Sequence, residues 1–262
     1  MFGAIVGDII GSRFEWHNCR SKEFALFDEK CRPTDDSIMT LAVAKAILAA
    51  RPGYEDLPEQ AVRAMQELGR RYPHAGYGRG FRQWLAAEHP EPYHSFGNGS
   101  AMRVSPAGFA ACSEEEAKSL AHAVTAVTHN HPEGLKGAEA VAVLIYHARQ
   151  GMKMDELREL AEARYYRLDF TLDEIRPTYE FSSACQKSVP QALVAFFSSQ
   201  DFEDAIRNAI SIGGDSDTIA AIAGSIAEAY YGIPQALREA AMQRLPAPLQ
   251  QIVTDFEQVY PQ

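Results

Sequence analysis

The sequence predicts an all-α protein, a compact multi-helix bundle forming one domain over residues 1–262. Three observations carry this. Apolar residues recur at helical spacing in one segment after another. No segment alternates apolar and polar residues with β-branched enrichment, and the Asn98-Gly99 pair has nothing strand-like on either side. No Gly/Ser/Pro linker, charge block or fixed-period repeat divides the chain. With 46% hydrophobic and 23% charged positions, 262 residues suffice for one sizeable core.

The elements follow in order. GAIVGDIIGSRFEW (3–16) places Gly3, Gly7 and Gly11 four residues apart, a stripe that lets a helix approach a neighbour closely. Asp8 and Glu15, seven apart, read as lying on one helical face about two turns along. The segment is too apolar to be mostly exposed, and a buried acid near Trp16 needs a partner, for which a metal ion is suited. TDDSIMTLAVAKAILAARPG (34–53) reads as a helix closed at Arg51-Pro52-Gly53. GYGRGFRQWL (76–85) is a candidate to close over a cleft, with Phe81 and Trp84 in the core. SEEEAKSLAHAVTAV (113–127) opens on a capping box, Ser113 with Glu116. HPEGLKGAEAVAVLIYHARQG (131–151) is a helix closed by Gly151, with His131 as a cap or surface residue. DFEDAIRNAI (201–210) sets Phe202, Ala205, Ile206, Ala209 and Ile210 on one face. GGDSDTIAAIAGSIAEAYYG (213–232) is a small-residue run that belongs deep in the core.

A formal charge of −10 excludes an extended nucleic-acid groove, though not a small phosphorylated ligand held by local donors. The N-terminus has no basic n-region and Asp8 interrupts its apolar stretch, so a signal peptide is not expected. No run is long and uncharged enough for a membrane span. Cys19, Cys31, Cys112 and Cys185 are scattered without a CxxC pair, as free thiols in a reducing compartment would be. A cytoplasmic, monomeric protein without a membrane partner is the expectation.

Two helix starts are crowded with acids. Thr34-Asp35-Asp36-Ser37 precedes one apolar run, and Gly213-Gly214-Asp215-Ser216-Asp217-Thr218 precedes another. Capping accounts for one such start, since Asp, Ser and Thr are favoured there. It does not account for the recurrence, because one cap needs one side chain. Residues i and i+2 of a helix do not face each other. Asp215 and Asp217 therefore converge only where the chain is still turning, as Gly213-Gly214 permits. Converging clusters of this kind offer hard oxygen ligands and no sulfur, a set for Mg²⁺, Mn²⁺ or Ca²⁺. The repelling acids call for one or two divalent ions.

The blocks GAIVGDIIGSRFE (3–15), TDDSIMTLAVAKAIL (34–48), FGNGSAMRVSPAG (96–108), THNHPEGLKGAEAVA (128–142) and the run from Ser188 to Gly232 together resemble the ADP-ribosylglycohydrolases. The resemblance implies an all-α fold with a central cleft and a centre of two Mg²⁺ or Mn²⁺ ions. It implies Glu15, Thr34, Asp35, Asp36, Asp215, Asp217 and Thr218 as the metal shell. It further implies removal of ADP-ribose from a modified protein, nucleic acid or small-molecule acceptor, with cleavage at the distal ribose C1″ and ADP-ribose as product. Ser37 stands where many relatives carry Thr, and the hydroxyl is kept.

Cleavage of a glycosidic bond through an oxocarbenium-like transition state needs a positioned water and a carboxylate to activate it. Glu15 is the candidate for that carboxylate; Asp36 and Asp215 are both candidates to protonate the leaving group. In the family the glycine-rich loop lines the ADP-ribose cleft, which assigns ligand contacts to Gly97, Asn98, Gly99 and Ser100. His129-x-His131 has the look of a metal pair, but oxygen-rich sites rarely take imidazole, and His129 is expected to contact the ligand. Arg103 can offer a fork to a phosphate or buttress an acid, and a structural role is expected for it. Two alternatives stay open: a non-catalytic ADP-ribose binder, and another two-metal hydrolase acting on a phosphorylated small molecule.

Overall fold

In a computed structural model describing residues 1–261, fifteen α-helices succeed one another. The first seven are α1 (Phe2–Gly11), α2 (Asp35–Ala49), α3 (Leu57–Arg71), α4 (Arg79–Ala86), α5 (Gly99–Met102), α6 (Ser105–Ala110) and α7 (Glu114–Thr125). There follow α8 (Pro132–Arg149), α9 (Met154–Arg164), α10 (Leu172–Ile175), α11 (Val189–Phe197), α12 (Phe202–Ser211), α13 (Ser216–Tyr231), α14 (Gln235–Met242) and α15 (Ala247–Val259). The described residues contain no β-strand, only an isolated antiparallel bridge between Gly97 and Ala184. The all-α expectation holds.

The helices form where their sequences dictate. Asp201 caps α12 by accepting from Asp204 N at 2.8 Å, and Ser113 caps α7 by accepting from Glu116 N at 3.1 Å. The capping box of α7 is displaced by one residue: the Glu116 carboxylate accepts from Cys112 N at 2.7 Å. His131 caps α8, its Nδ1 accepting from Glu133 N at 3.0 Å. Phe81 and Trp84 lie in the core.

α13 is the central helix. Its residues are buried from Ser216 to Glu228, and α1, α8, α11 and α12 all pack against it. The closest partner is α1. A Cβ built on Gly7 would stand 2.1 Å from Ala220 O, and one on Gly3 2.2 Å from Gly224 O. The glycine stripe of the sequence thus lets two backbones touch. Glu228, deep on α13, accepts from Phe2 N at 3.1 Å and Gly3 N at 2.7 Å, supplying donors at the start of α1 with a negative partner. On the other side α2 packs on α3, α15, α1 and α6.

One reading of the sequence is corrected. α1 ends at Gly11, and Ser12 to His17 form turns and bends, so Glu15 does not continue the helical face that carries Asp8. The chain bends back there over the head of α13.

Gly7→Ala tests the α1–α13 contact. The added methyl meets backbone, which cannot rotate away, so unfolding in urea should show a loss of about 3 kcal/mol, the upper part of the usual overpacking range. Gly78→Ala, where a Cβ meets nothing within 4 Å, should stay within about 0.5 kcal/mol of the parent.

Candidate active site

Asp8 is fully buried on α1 and ties that helix to the start of α2. Its Oδ1 accepts from Thr34 Oγ1 at 2.6 Å; its Oδ2 accepts from Thr34 N at 2.9 Å, Ser37 N at 3.1 Å and Ser37 Oγ. These donors hold the carboxylate without a counter-ion. The Thr34 hydroxyl therefore serves Asp8, and the Ser37 hydroxyl does the same, which is why a Thr-to-Ser difference there preserves the contact.

The acids of the two helix starts meet above this latch. Asp35 and Asp36 open α2; Asp215 is the N-cap of α13 and Asp217 stands in its first turn. Gly213 and Gly214 both have φ +74°, a left-handed pair that reverses the chain just ahead of Asp215. A Cβ on Gly214 would fall 2.3 Å from the Tyr179 ring. Thr218 Oγ1 bridges the clusters by donating to Asp36 Oδ2 at 3.3 Å. Asn98 Nδ2 donates to Asp215 Oδ2 at 2.8 Å and to Ser188 Oγ at 3.0 Å. Glu15 is brought in by Asn18, whose amide donates to Gly214 O at 2.9 Å and accepts from Gly214 N at 3.0 Å.

Carboxylate oxygens of Asp8, Asp36 and Asp217 lie within 4.8 Å of one another, and so do those of Glu15, Asp215 and Asp217. Asp217 belongs to both groups. No lysine or arginine ion-pairs with any of these acids among the described residues. Burial, then the charge of neighbouring acids, pushes Glu15 up to about 7 and Asp35 up to about 8. The same causes hold Asp36 and Asp217 well above the usual carboxylate range. Asp36 Oδ1 is buried and has no hydrogen-bond partner. An orphaned carboxylate oxygen inside an all-oxygen cluster that no lysine or arginine neutralises fits a divalent metal ion.

The acids wall one end of a cleft of about 450 Å³, within the usual range for a small-molecule site. Glu15, Asp35, Asp36, Asp215, Asp217 and Thr218 line it; Thr34 lies behind, turned to Asp8. Gly97, Asn98, Gly99 and His129 line the cleft too. Ser100 does not face it in this way: its buried hydroxyl donates to Gly97 O at 3.1 Å. The loop's amides largely bond within the protein, Gly97 N to Ser95 Oγ at 3.1 Å and Asn98 N to Ser183 O at 2.7 Å. Sequence reasoning missed the rim, where Trp16 and Phe181 stack with ring centroids 5.2 Å apart and line the mouth. It also missed Asn98 as a holder of Asp215; the only signal was the amide's place between two glycines.

An all-helical fold with a carboxylate-walled cleft between two helix N-termini is the class of protein that fold and site define. The chain belongs to the ADP-ribosylglycohydrolase family, whose profile matches residues 1–261. It is 27% identical over 313 aligned residues to ADP-ribosylhydrolase ARH3 of Mus musculus, covering 89% of this chain and 83% of that one. It is 27% identical over 207 residues to the ADP-ribosyl-dinitrogen reductase glycohydrolase of Rhodospirillum rubrum, covering 76% of this chain and 69% of the relative. An ADP-ribosylglycohydrolase-related protein complex of known structure shares the fold at TM-score 0.72 and 24% identity, over 99% of this chain and 95% of that one. No helix among the described residues is long and apolar enough to cross a membrane.

The raised carboxylates set the pH dependence of the protein freed of metal with EDTA. Such groups keep protons in the folded state where the unfolded chain has lost them, so folding takes protons up. The stability this provides is complete below the unfolded carboxylate range, about pH 4, and is lost as pH rises through about 7 and 8, where Glu15 and Asp35 ionise. Urea midpoints in EDTA should fall over that window, and Mg²⁺ or Mn²⁺ should restore them most at the alkaline end.

Proposed function

We propose that the protein is a Mg²⁺- or Mn²⁺-dependent hydrolase that removes ADP-ribose from a modified acceptor by cleaving the glycosidic bond at the distal ribose C1″. The observation that carries this reading is Asp217, shared by two carboxylate groups at a cleft sized for a small molecule. Two neighbouring oxygen-rich positions with one common carboxylate suit a pair of divalent ions. Asp36, Asp217, Asp215 and Glu15 would hold them, with Asp8 behind the first position and Asp35 and Thr218 at the cleft wall. Bound there, the ions would supply Lewis-acid polarisation of ribose oxygens.

The chain's own residues divide the remaining work. Glu15 is half-buried, belongs to no helix and sits beside exposed Trp16 at the mouth, with its pKa pushed up to about 7. A carboxylate so poised can take a proton from an attacking water and release it at neutral pH. Asp215, pinned by Asn98, and Asp36, with one oxygen lacking a hydrogen-bond partner, both line the cleft and are the two candidates to protonate the leaving group. Asp8, Thr34 and Ser37 take no part in the chemistry and fix where α2 begins. The wall beside the acids, with Gly97, Gly99 and His129, is left for the pyrophosphate and adenosine.

Auto-ADP-ribosylated protein incubated with the enzyme should release ADP-ribose with Mg²⁺ or Mn²⁺ present, and release should stop in EDTA. Release indifferent to EDTA, or phosphate release from phosphorylated small molecules in its place, overturns the reading. Asp217→Asn should abolish turnover and keep the helical circular dichroism. Its metal-free melting temperature should rise, because one buried acid leaves a cluster whose members disfavour each other's ionisation.

Glu15→Gln separates proton transfer from binding. Single-turnover hydrolysis should slow by at least ~10²-fold, the usual worth of a positioned acid or base. ADP-ribose affinity by isothermal titration should change by only a few-fold. Loss of both together, with recovery of both in excess Mn²⁺, would make Glu15 a ligand alone.

A further inference from the structure

One cation is buried against the cleft with no carboxylate to meet it. Arg103, just beyond α5, is 1% exposed and forms no ion pair among the described residues. Its guanidinium lies over the Phe81 ring, 5.6 Å from the centroid, and its Nε has no hydrogen-bond partner. Burial lowers its pKa to about 10, which leaves it charged at neutral pH. Such a group is expensive to bury unless it does something.

What it does can be read from the two residues it touches. One terminal nitrogen donates to Thr128 Oγ1 and lies 3.5 Å from His129 Nδ1. Thr128 Oγ1 is 2.7 Å from the same Nδ1 and 3.4 Å from Thr125 O. A guanidinium has donors only, and a hydroxyl has one proton to give. An Nδ1 that carried a proton would point it toward the Arg103 cation 3.5 Å away, and would leave the Thr128 proton only the longer 3.4 Å contact in which it donates to Thr125 O. The favourable arrangement sends the Thr128 proton to Nδ1, which leaves the imidazole's single proton on Nε2. Nε2 is the atom turned to the glycine loop: a Cβ on Gly99 would come within 3.1 Å of it, and one on Gly97 within 3.5 Å. Burial and the Arg103 charge both hold the His129 pKa well below its usual value.

We propose that Arg103 and Thr128 are positioning residues that fix His129 as the neutral Nε2–H tautomer, presenting one hydrogen-bond donor to an anionic ligand oxygen at Gly97–Gly99. The identity of that oxygen as an ADP-ribose phosphate rests on the functional reading above; the tautomer does not. Tyr93, whose ring centroid is 5.9 Å from that of His129, is the other titratable group on this wall and stays neutral at physiological pH because burial raises it further.

Two-bond ¹H–¹⁵N correlation on ¹⁵N-histidine-labelled wild type reads the tautomer directly. The expected pattern for His129 is Nε2–H, unchanged across the neutral range. An Nδ1–H or imidazolium pattern overturns the proposal without any variant being made. Arg103→Met removes the donor-only group, so both tautomers should become populated and the ADP-ribose Kd should rise about tenfold, the worth of one hydrogen bond to a charged group. Arg103→Lys, which keeps a donor-only cation, should restore both. A folded Arg103→Met protein with the wild-type tautomer also overturns the proposal. Should Arg103→Met not fold, the wild-type pattern decides. A wild type that shows Nε2–H and does not bind ADP-ribose supports the positioning role and overturns the functional reading.

Discussion

The contact between α1 and α13 is the constraint on which the rest of the molecule depends. These helices lie far apart in the chain, and their backbones meet along the glycine stripe of α1. The register is strict. Gly3 faces Gly224, Gly7 faces Ala220, and a Cβ on Gly11 would stand 2.5 Å from Asp217 Cα. The same stripe that joins the helices thus delivers Asp217 to the neighbourhood of Asp8. A shift of one turn along either helix would separate the carboxylates and leave buried charge with no neighbours to share protons or a cation. Packing and charge placement are a single geometric fact here.

The polar groups around the cluster are positioned so that little is left to side-chain freedom. Asp8 is held by Thr34 and Ser37, Asp215 by Asn98, and the Glu15 turn by Asn18 stitched to Gly214. Each of these links joins segments far apart in sequence, so the cluster forms only when the whole helical array is assembled. Buried carboxylates that repel one another oppose folding. The array tolerates them because hydrogen bonds satisfy most of their oxygens and because Asp36 Oδ1 is the kind of atom a cation would complete.

Much of this was legible in the sequence, and the reasons differ by element. The helices with one-sided apolar periodicity and a polar cap, such as 201–210 and 113–127, were legible because local chemistry decides them. The recurrence of acid-rich helix starts was legible because a single cap cannot explain it. Glu15 was misplaced on a helix because α1 stops at Gly11 through tertiary contact with the head of α13, which no local propensity announces. Asp8 was recognised as an acid in need of a partner, yet its partners are hydroxyls and amides 26 and 29 residues away. Asn98 as a brace, and the pairing of Trp16 with Phe181, join residues more than a hundred positions apart and carry no local pattern at all.

That aromatic pair has an optical consequence. The chain holds two tryptophans. Trp84 is 4% exposed and sealed in the core, while Trp16 is 72% exposed, stacked on Phe181 and adjacent in sequence to Glu15. Emission from the folded protein therefore divides into a fixed component that collisional quenchers cannot reach and a second component generated at the lip of the cleft. The molecule carries an intrinsic reporter next to Glu15, the half-buried carboxylate of the cluster. Events at the mouth can be followed by light without labelling a residue or disturbing the acids beneath.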